Sequence, residues 1–449
     1  MQQTKNTTRG KFGKEKEEVS EETLAKRAEY IFPENHKYLT FLKKVFRHEL
    51  RKSGFRRIST PVFMAKSDLE KVFAKNLDEN VYIANVGNVW ELALKPNWEI
   101  SALMSYIDGG LSEEIQPVYS YYMDSFYPVK WEKLNSIGLI WWNVIWEDDA
   151  IIDAQNIFII NSILEKIWLN DLFEIKINSV WIKKEQAKFF EALEDFYGDK
   201  KHLLTKESLE NLENSCLDIL NPKSEDEEIL VKNAPKFIKF LKKDSKKYYT
   251  QFKEYLDILN ISYTEDEHLI SDYDYANNQV WEFVLKDTGE RIANWYRYNT
   301  LSTKLWTPKE IPASWFSVSI FRLIELLKQN NISIRNKDEL DLYFVQLWDE
   351  AKKVVLPLSL QAREAWINTA VSLWTPSMKE QMIKANRSGA KYVVMVAVME
   401  ARSWVFQVRD IEAWTQEEVK KDELIEYIIS KIGSDKLNFY EPSKDLLEK

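Results

Sequence analysis

The sequence predicts an α+β chain in several parts: a mixed strand-and-helix region, a helical interruption, and a final α/β unit. Three observations predict it. Residues 80–165 mix strand-like runs with turns, and strand-like "QVWEFVLK" at 279–286 returns to that pattern after a long break. The break, 165–262, is rich in Lys, Glu and Leu at helical spacing, with few turn signals beyond "YGDKK" and "LNPKSED". From residue 335 strands and helices alternate: "DLYFVQL", a helix over 349–365, "INTAVSL", a helix over 376–388, then "KYVVMVA". That order makes a βαβαβ unit on a parallel sheet. The expected parts are a charged tail over 1–25, the mixed region over 26–164 and 263–332, the helical module over 165–262, and the α/β unit over 335–435.

Each element has a local reason. The tail is polar and charged and reads as mobile. Tyr38, Phe41, Leu42, Val45 and Phe46 recur on one helical face. Gly54 closes that helix, and "FRRISTPVFM" follows as a strand. Pro61 lies inside it, which predicts a sheet edge or a bulge. A charged turn, "DTGE", follows 279–286, and "VFQVRDIE" with a helix over 416–432 completes the last unit. There is no internal repeat.

Composition excludes several classes. The net charge of −9 argues against a charge-only nucleic-acid binder. Cys216 is the only cysteine, so a disulfide framework and a cysteine metal site are excluded. His36, His48, His202 and His268 make no metal-ligand spacing, so no metal site is expected from protein clusters. The apolar run at 136–146 is too short to span a bilayer, and the N-terminus lacks an apolar signal core. No membrane and a cytoplasmic setting are expected.

Seventeen tryptophans stand against eleven glycines in 449 residues. Ordinary proteins carry roughly 7% glycine, about three times the share here. Tryptophan sits where the chain must turn: Trp366 lies between helix-like "LQAREA" and strand-like "INTAV", and Trp374 between a strand and a helix. Glycine is favoured at such junctions because it reaches positive φ without a Cβ penalty.

The motifs resemble one family. The run 300–327, "TLSTKLWTPKEIPASWFSVSIFRLIELL", is similar to the third class II motif of histidyl-tRNA synthetases. "ANWYRYNTL" (293–301) resembles their A-G-G-G-R-Y-D-G-L, and "LISDYDYANNQVWEFVL" (269–285) their histidine-binding L-V-R-G-L-D-Y-Y followed by V-F-E-F-V. "LALKPNWEI" (92–100) resembles L-A-L-R-P-E-G-T-A, and "WEDDAIIDAQNI" (146–157) resembles G-E-D-D-x-x-I-D-A-E-x-I. The order of these matches covers about 28–432. The resemblance implies a class II catalytic domain on an antiparallel sheet with a helical insertion, a C-terminal α/β anticodon-binding domain, and a homodimer. It implies histidine tRNA as partner, and ATP with Mg2+ if the protein is active, joining histidine to the tRNA.

The resemblance also assigns the site. Arg322 is the expected catalytic residue, on the ATP phosphates, with a structural salt bridge as its alternative. Lys95, Asn97, Asp274, Tyr275 and Arg297 are the expected substrate-binding residues, although Asp274 and Tyr275 can equally be ordinary strand residues and Arg297 reads more readily as structural. Many positions depart from the family pattern. Phe321 replaces a glutamate, Ser319 and Trp315 replace glycines, and Asp124 or Ser125 stands for the second-motif arginine. Ser271 replaces the histidine-specific arginine, Asp272 a glycine and Ala276 a tyrosine; Asn97 replaces a glutamate, Lys95 an arginine, and Leu139 and Asn143 stand for glutamine and glutamate. A lost phosphate arginine removes bonds of roughly 1.5–3 kcal/mol each. Impaired aminoacylation on a tRNA-binding scaffold is therefore expected; an active diverged ligase and a non-catalytic regulatory protein are the alternatives.

Against the family pattern, Trp98, Trp141, Trp146, Trp168, Trp181, Trp295, Trp306, Trp315, Trp348, Trp366, Trp374, Trp404 and Trp414 all fall at glycine-type positions. The bias predicts TGA codons that mean glycine in the source genome. That change repairs none of the departures at Asn97, Ser271, Phe321 and Asp124.

Overall fold

The computed structural model describes residues 32–73, 77, 81–86, 90–125, 127, 139–180, 183–206, 208–209, 212, 218–220, 222–267, 269, 275–305, 307–334, 340–372, 377–434 and 437. The expected tail over 1–25 lies outside them. The chain divides into two units, Met1–Ser333 and Ile334–Lys449.

The first helix, Pro33–Lys52, opens with proline at its start, where the missing N–H costs nothing. Its face of Tyr38, Leu42, Phe46 and Leu50 is buried, and each fully covered side chain contributes about 1.5–3 kcal/mol. Gly54, at φ 85°, ends it. The chain then enters an eight-stranded sheet. From edge to edge its order is Arg56–Arg57, Val118–Tyr122, Leu139–Ile145, Ala313–Ser319, Arg291–Arg297, Asn277–Leu285, Phe173–Val180 and Thr264–Glu265. The inner strands pair antiparallel, and only the two-residue edges pair parallel.

Strand alternation gives this sheet two different faces. One carries Trp142, Phe316, Trp281 and Trp295 as a row of rings. The helices Pro33–Lys52 and Ala150–Lys166 meet this row through Phe46 and Asn156, and the Asn156 Oδ1 accepts from Trp142 Nε1 at 2.5 Å. The other face carries Tyr122, Trp141, Asn143, Tyr296 and Trp315, which stand opposite one another in the strand register. Helix Trp98–Ile107 packs on this second face, with Trp98 stacked on Tyr122.

Several sequence expectations are corrected. "FRRISTPVFM" is not one strand. Arg56–Arg57 borders the large sheet, whereas Phe63–Ala65 joins a separate three-stranded sheet. Pro61 lies in the break, where it withholds no ladder donor. The region 80–165 contains two helices, Trp98–Ile107 and Ala150–Lys166. The second buries Ala150, Ile152, Asp153, Ala154, Ile157 and Ile160 around much of its circumference, so it has no single apolar stripe. Within 165–262, strand Phe173–Val180 belongs to the large sheet through Asn277–Leu285. Helices Lys183–Gly198, Glu225–Asn233 and Lys243–Ile258 follow it, and Phe189, Leu193, Tyr197, Leu230 and Phe237 share a core there.

In the second unit, five strands run in the order Thr369–Val371, Leu342–Gln346, Tyr392–Val396, Val405–Asp410, Gln416–Lys420. The first three are parallel and the last two antiparallel. The helix expected over 416–432 is shorter, Leu424–Ile432, because Gln416–Lys420 is a strand. Only Val419 of that strand is buried, and its charged residues mark a protected sheet edge.

Candidate active-site cleft

Asn97 starts helix Trp98–Ile107. Its Oδ1 accepts from the Ile100 backbone N–H at 3.4 Å, which satisfies one of the helix's orphan donors. Its Nδ2 donates to the Tyr275 hydroxyl at 3.1 Å. Two of the expected substrate residues, Asn97 and Tyr275, are therefore in contact, and both are buried. Lys95 is buried beside them. Its Nζ donates to Thr60 Oγ1 at 3.2 Å and lies 3.9 Å from the Trp98 ring centroid. Burial lowers the Lys95 ammonium to about 8, against the pull of Asp124. A cavity of about 550 Å³ lies between Ile58–Ala65 and the helix, touching Thr60, Met64, Ser101 and Met104 rather than the tyrosine face.

Glu99 is the group that sequence reading missed. It is fully buried on the apolar helix that Asn97 opens. Oε1 accepts from the Tyr296 hydroxyl, and Oε2 has no partner among the described residues. Burial raises this carboxyl to about 7, and the Tyr296 bond with the nearby backbone N–H groups of Glu99 and Trp98 only partly offsets that. Around it, Asn143 donates to the Tyr122 hydroxyl at 2.7 Å and accepts from the Tyr298 hydroxyl at 3.0 Å. Burial holds both phenols protonated far above their usual range. The available signal was an acid two residues beyond Asn97, the only charged residue of helix Trp98–Ile107.

Indoles fill the rest of this face. Trp98 and Trp141 rings lie 5.7 Å apart, Trp141 and Trp315 4.7 Å, and Trp315 and Tyr296 4.6 Å. All three tryptophans are buried. The Nε1 of Trp98 and of Trp315 finds no acceptor among the described residues. A buried donor without a partner costs about 1–3 kcal/mol.

Two expected site residues are placed differently. Arg297, expected on the substrate, is a fully buried structural hub. Its Nε donates to Asp153 at 3.1 Å, Nη1 to the Glu147 carbonyl at 2.8 Å and Nη2 to the Asp149 carbonyl at 2.9 Å. Burial works against its charge, but Asp153 beside it holds it protonated. Burial pushes the Asp153 carboxyl up, and Arg297 pulls it back. The run "WEDDAIID" is thereby explained: it supplies a carbonyl cage, the helix cap Asp149 and the ion-pair partner Asp153. Arg322, expected on phosphate, is engaged by carboxylates. Its Nη2 meets Glu290 at 2.6 Å and its Nη1 meets Glu325 at 2.8 Å. Ser319, at a family glycine position, caps the same helix through the Arg322 N–H.

Asp124, aligned with the second-motif arginine, faces Arg57 at 3.9 Å. Asp274, Ser271 and Asp272 lie outside the described residues. A triphosphate needs cations and open space on this face. Among the described residues Arg322 is paired to two carboxylates, Asp124 is an acid, and three indoles are packed together, so the described part of the site does not fit ATP. Among the described residues no group of three His, Cys, Asp or Glu could hold a metal ion, and no helix is long and apolar enough to cross a membrane.

Residues 332–431 match the family model described as "Anticodon binding domain". The chain is 25% identical over 397 residues to a histidine--tRNA ligase of Halothermothrix orenii, covering 86% of this chain and 94% of that protein. It is 28% identical over 396 residues to a histidine--tRNA ligase of Clostridium botulinum, covering 86% and 93%. The fold matches apo histidyl-tRNA synthetase of S. aureus with a TM-score of 0.71 at 23% identity, covering 90% of this chain and 98% of that one. It also matches an ATP phosphoribosyltransferase regulatory subunit/histidyl-tRNA synthetase from Bacillus halodurans C, with a TM-score of 0.59 at 16% identity, over 82% and 97%. The chain is thus similar over most of its length to histidine--tRNA ligases, and its fold is that of histidyl-tRNA synthetases with a C-terminal anticodon-binding domain.

Proposed function

We propose that this chain, with the residues it carries, is a tRNA-binding protein of the histidyl-tRNA synthetase family that does not activate histidine. The carrying observation is Asp124, which aligns with the second-motif arginine and faces Arg57 at 3.9 Å; it holds whether 98, 141 and 315 are tryptophan or glycine. Two further features support the reading. Arg322 is ion-paired to Glu290 and Glu325. Glutamate, which in the family resemblance would receive a substrate ammonium, is replaced by Asn97, whose amide is used as a helix cap. The C-terminal unit supports retained tRNA binding, since residues 332–431 match an anticodon binding domain. The partner in this reading is histidine tRNA, the state a homodimer, and the setting cytoplasmic; ATP and Mg2+ belong only to the active alternative.

The test uses the full chain. Histidine tRNA is retained in a filter-binding assay, and histidine-dependent pyrophosphate exchange stays at the no-enzyme background. Exchange about tenfold or more above background overturns the reading, because even a residual oxyanion-type site gives rates well above solution.

A further inference from the structure

We propose that the tryptophans at glycine-type positions are glycine in the protein its own organism makes, UGA being decoded there as glycine, and that glycine at 98, 141 and 315 uncovers a pocket where Glu99 holds a small amine. The pocket half rests on the family reading above; the glycine half does not.

Backbone geometry carries the first half. Among the described residues, left-handed φ occurs at five glycines, three asparagines and six tryptophans, and at no other residue type. Glycine and asparagine are the expected occupants of that region, and an indole-bearing residue is an outlier there. The six are Trp146, Trp168, Trp348, Trp366, Trp404 and Trp414, with φ between 56° and 75°. Trp168 and Trp366 sit one residue past a helix cap with the same paired backbone bonds that Gly54, Asn260 and Asn331 make. None of the six is a core residue: Trp348 is 71% exposed and Trp414 72%. They neither suit the backbone nor fill the interior. Trp181, Trp306 and Trp374 lie outside the described residues.

The buried positions carry the second half. Trp98 and Trp315 hide indole N–H groups with no acceptor among the described residues, beside a buried carboxylate whose Oε2 also lacks one there. Trp281 and Trp295 in the ring row share that lack, so the buried acid beside Trp98 and Trp315 is what distinguishes this face. With glycine at 98, 141 and 315, the space bordered by Glu99, Asn143, Tyr122 and Tyr296 becomes polar and open. Glu99 then supplies, two residues later, the negative charge that Asn97 lacks. An ammonium is the cation this carboxylate fits, so the ligand class is an amine of amino-acid size.

The source DNA at these positions reads TGA; TGG overturns the glycine half. Glycine at the six left-handed positions raises the melting midpoint of the full chain by about 5 °C or more, and Trp168→Gly and Trp366→Gly singly raise it by about 1–3 °C; the glycine chain for calorimetry carries glycine at all thirteen positions. Lower midpoints in the single variants overturn the same half. Calorimetry with histidinol, an amine without a carboxylate, finds binding to the glycine chain, and Glu99→Gln in that chain weakens it at least about tenfold. No histidinol binding, or binding unchanged by Glu99→Gln, overturns the pocket. The family reading is decided separately, by pyrophosphate exchange on the chain as it stands.

Discussion

Helix Pro33–Lys52 and helix Trp348–Glu364 end in the same way on different residues. At the first, Gly54 N–H reaches Arg51 O at 3.1 Å and Phe55 N–H reaches Leu50 O at 3.0 Å. At the second, Trp366 N–H reaches Arg363 O at 3.0 Å and Ile367 N–H reaches Ala362 O at 3.0 Å. Both turning residues have positive φ, 85° and 62°. The turn therefore sets the backbone, and the residue has to live with it. Glycine does so freely, whereas a residue with a Cβ loses about 1–2 kcal/mol. The cleft poses the other half of the comparison. Around Arg297 every buried charge meets a partner, whereas around Glu99 an oxygen and two indole N–H groups do not. One buried region is fitted to its residues and the other is not.

The largest effect belongs to the fitted region. Arg297→Ala leaves Asp153 buried and uncompensated and lowers stability by about 3–5 kcal/mol, read as a fall in the urea midpoint. A loss under about 1 kcal/mol breaks the contrast between the two buried regions.

Glu99 gives the next effect, through pH. Its folded carboxyl is raised to about 7, so the folded state keeps a proton that the unfolded state releases near the ordinary carboxylate value. Its stabilising contribution is fully present below about pH 4.5 and is lost as pH rises through 7, a loss of up to about 3 kcal/mol. Urea melts between pH 4.5 and 8 register the slope, and Glu99→Gln flattens it. An unchanged slope in that variant removes Glu99 as the source.

Helix ends come third. Gly54→Ala lowers stability by about 1–2 kcal/mol, and Trp366→Gly raises it by about 1 kcal/mol, read from denaturant midpoints with unchanged slopes. A loss on Trp366→Gly means that the indole makes contacts worth more than the strain. The smallest effect is at Arg322. Its pairs with Glu290 and Glu325 are partly exposed, and Arg322→Ala changes stability by about 0–1 kcal/mol.

Much of the fold was legible along the chain. The 3.6-residue face of Tyr38, Leu42 and Phe46 and the alternation after 335 are local patterns, and local patterns survive into helices and strands. Helix Ala150–Lys166 escaped because it is buried around most of its surface and leaves no stripe to read. Strand Gln416–Lys420 escaped because edge strands are charged and resemble helix surfaces. The site was less legible. Asn97 and Tyr275 were named from motifs and do meet, but Arg297 and Arg322 were named by the same means and are engaged in the protein's own ion pairs.

By itself the sequence determined the family resemblance, the order of the α/β alternation after residue 335 and the glycine deficit, because motif spacing and composition are properties of the chain alone. Tertiary structure decided which tryptophans turn the backbone and which fill the cleft. It also decided that Glu99, unmarked by any motif, is the cleft's buried acid. Backbone handedness, burial and hydrogen-bond satisfaction exist only once distant residues are packed together.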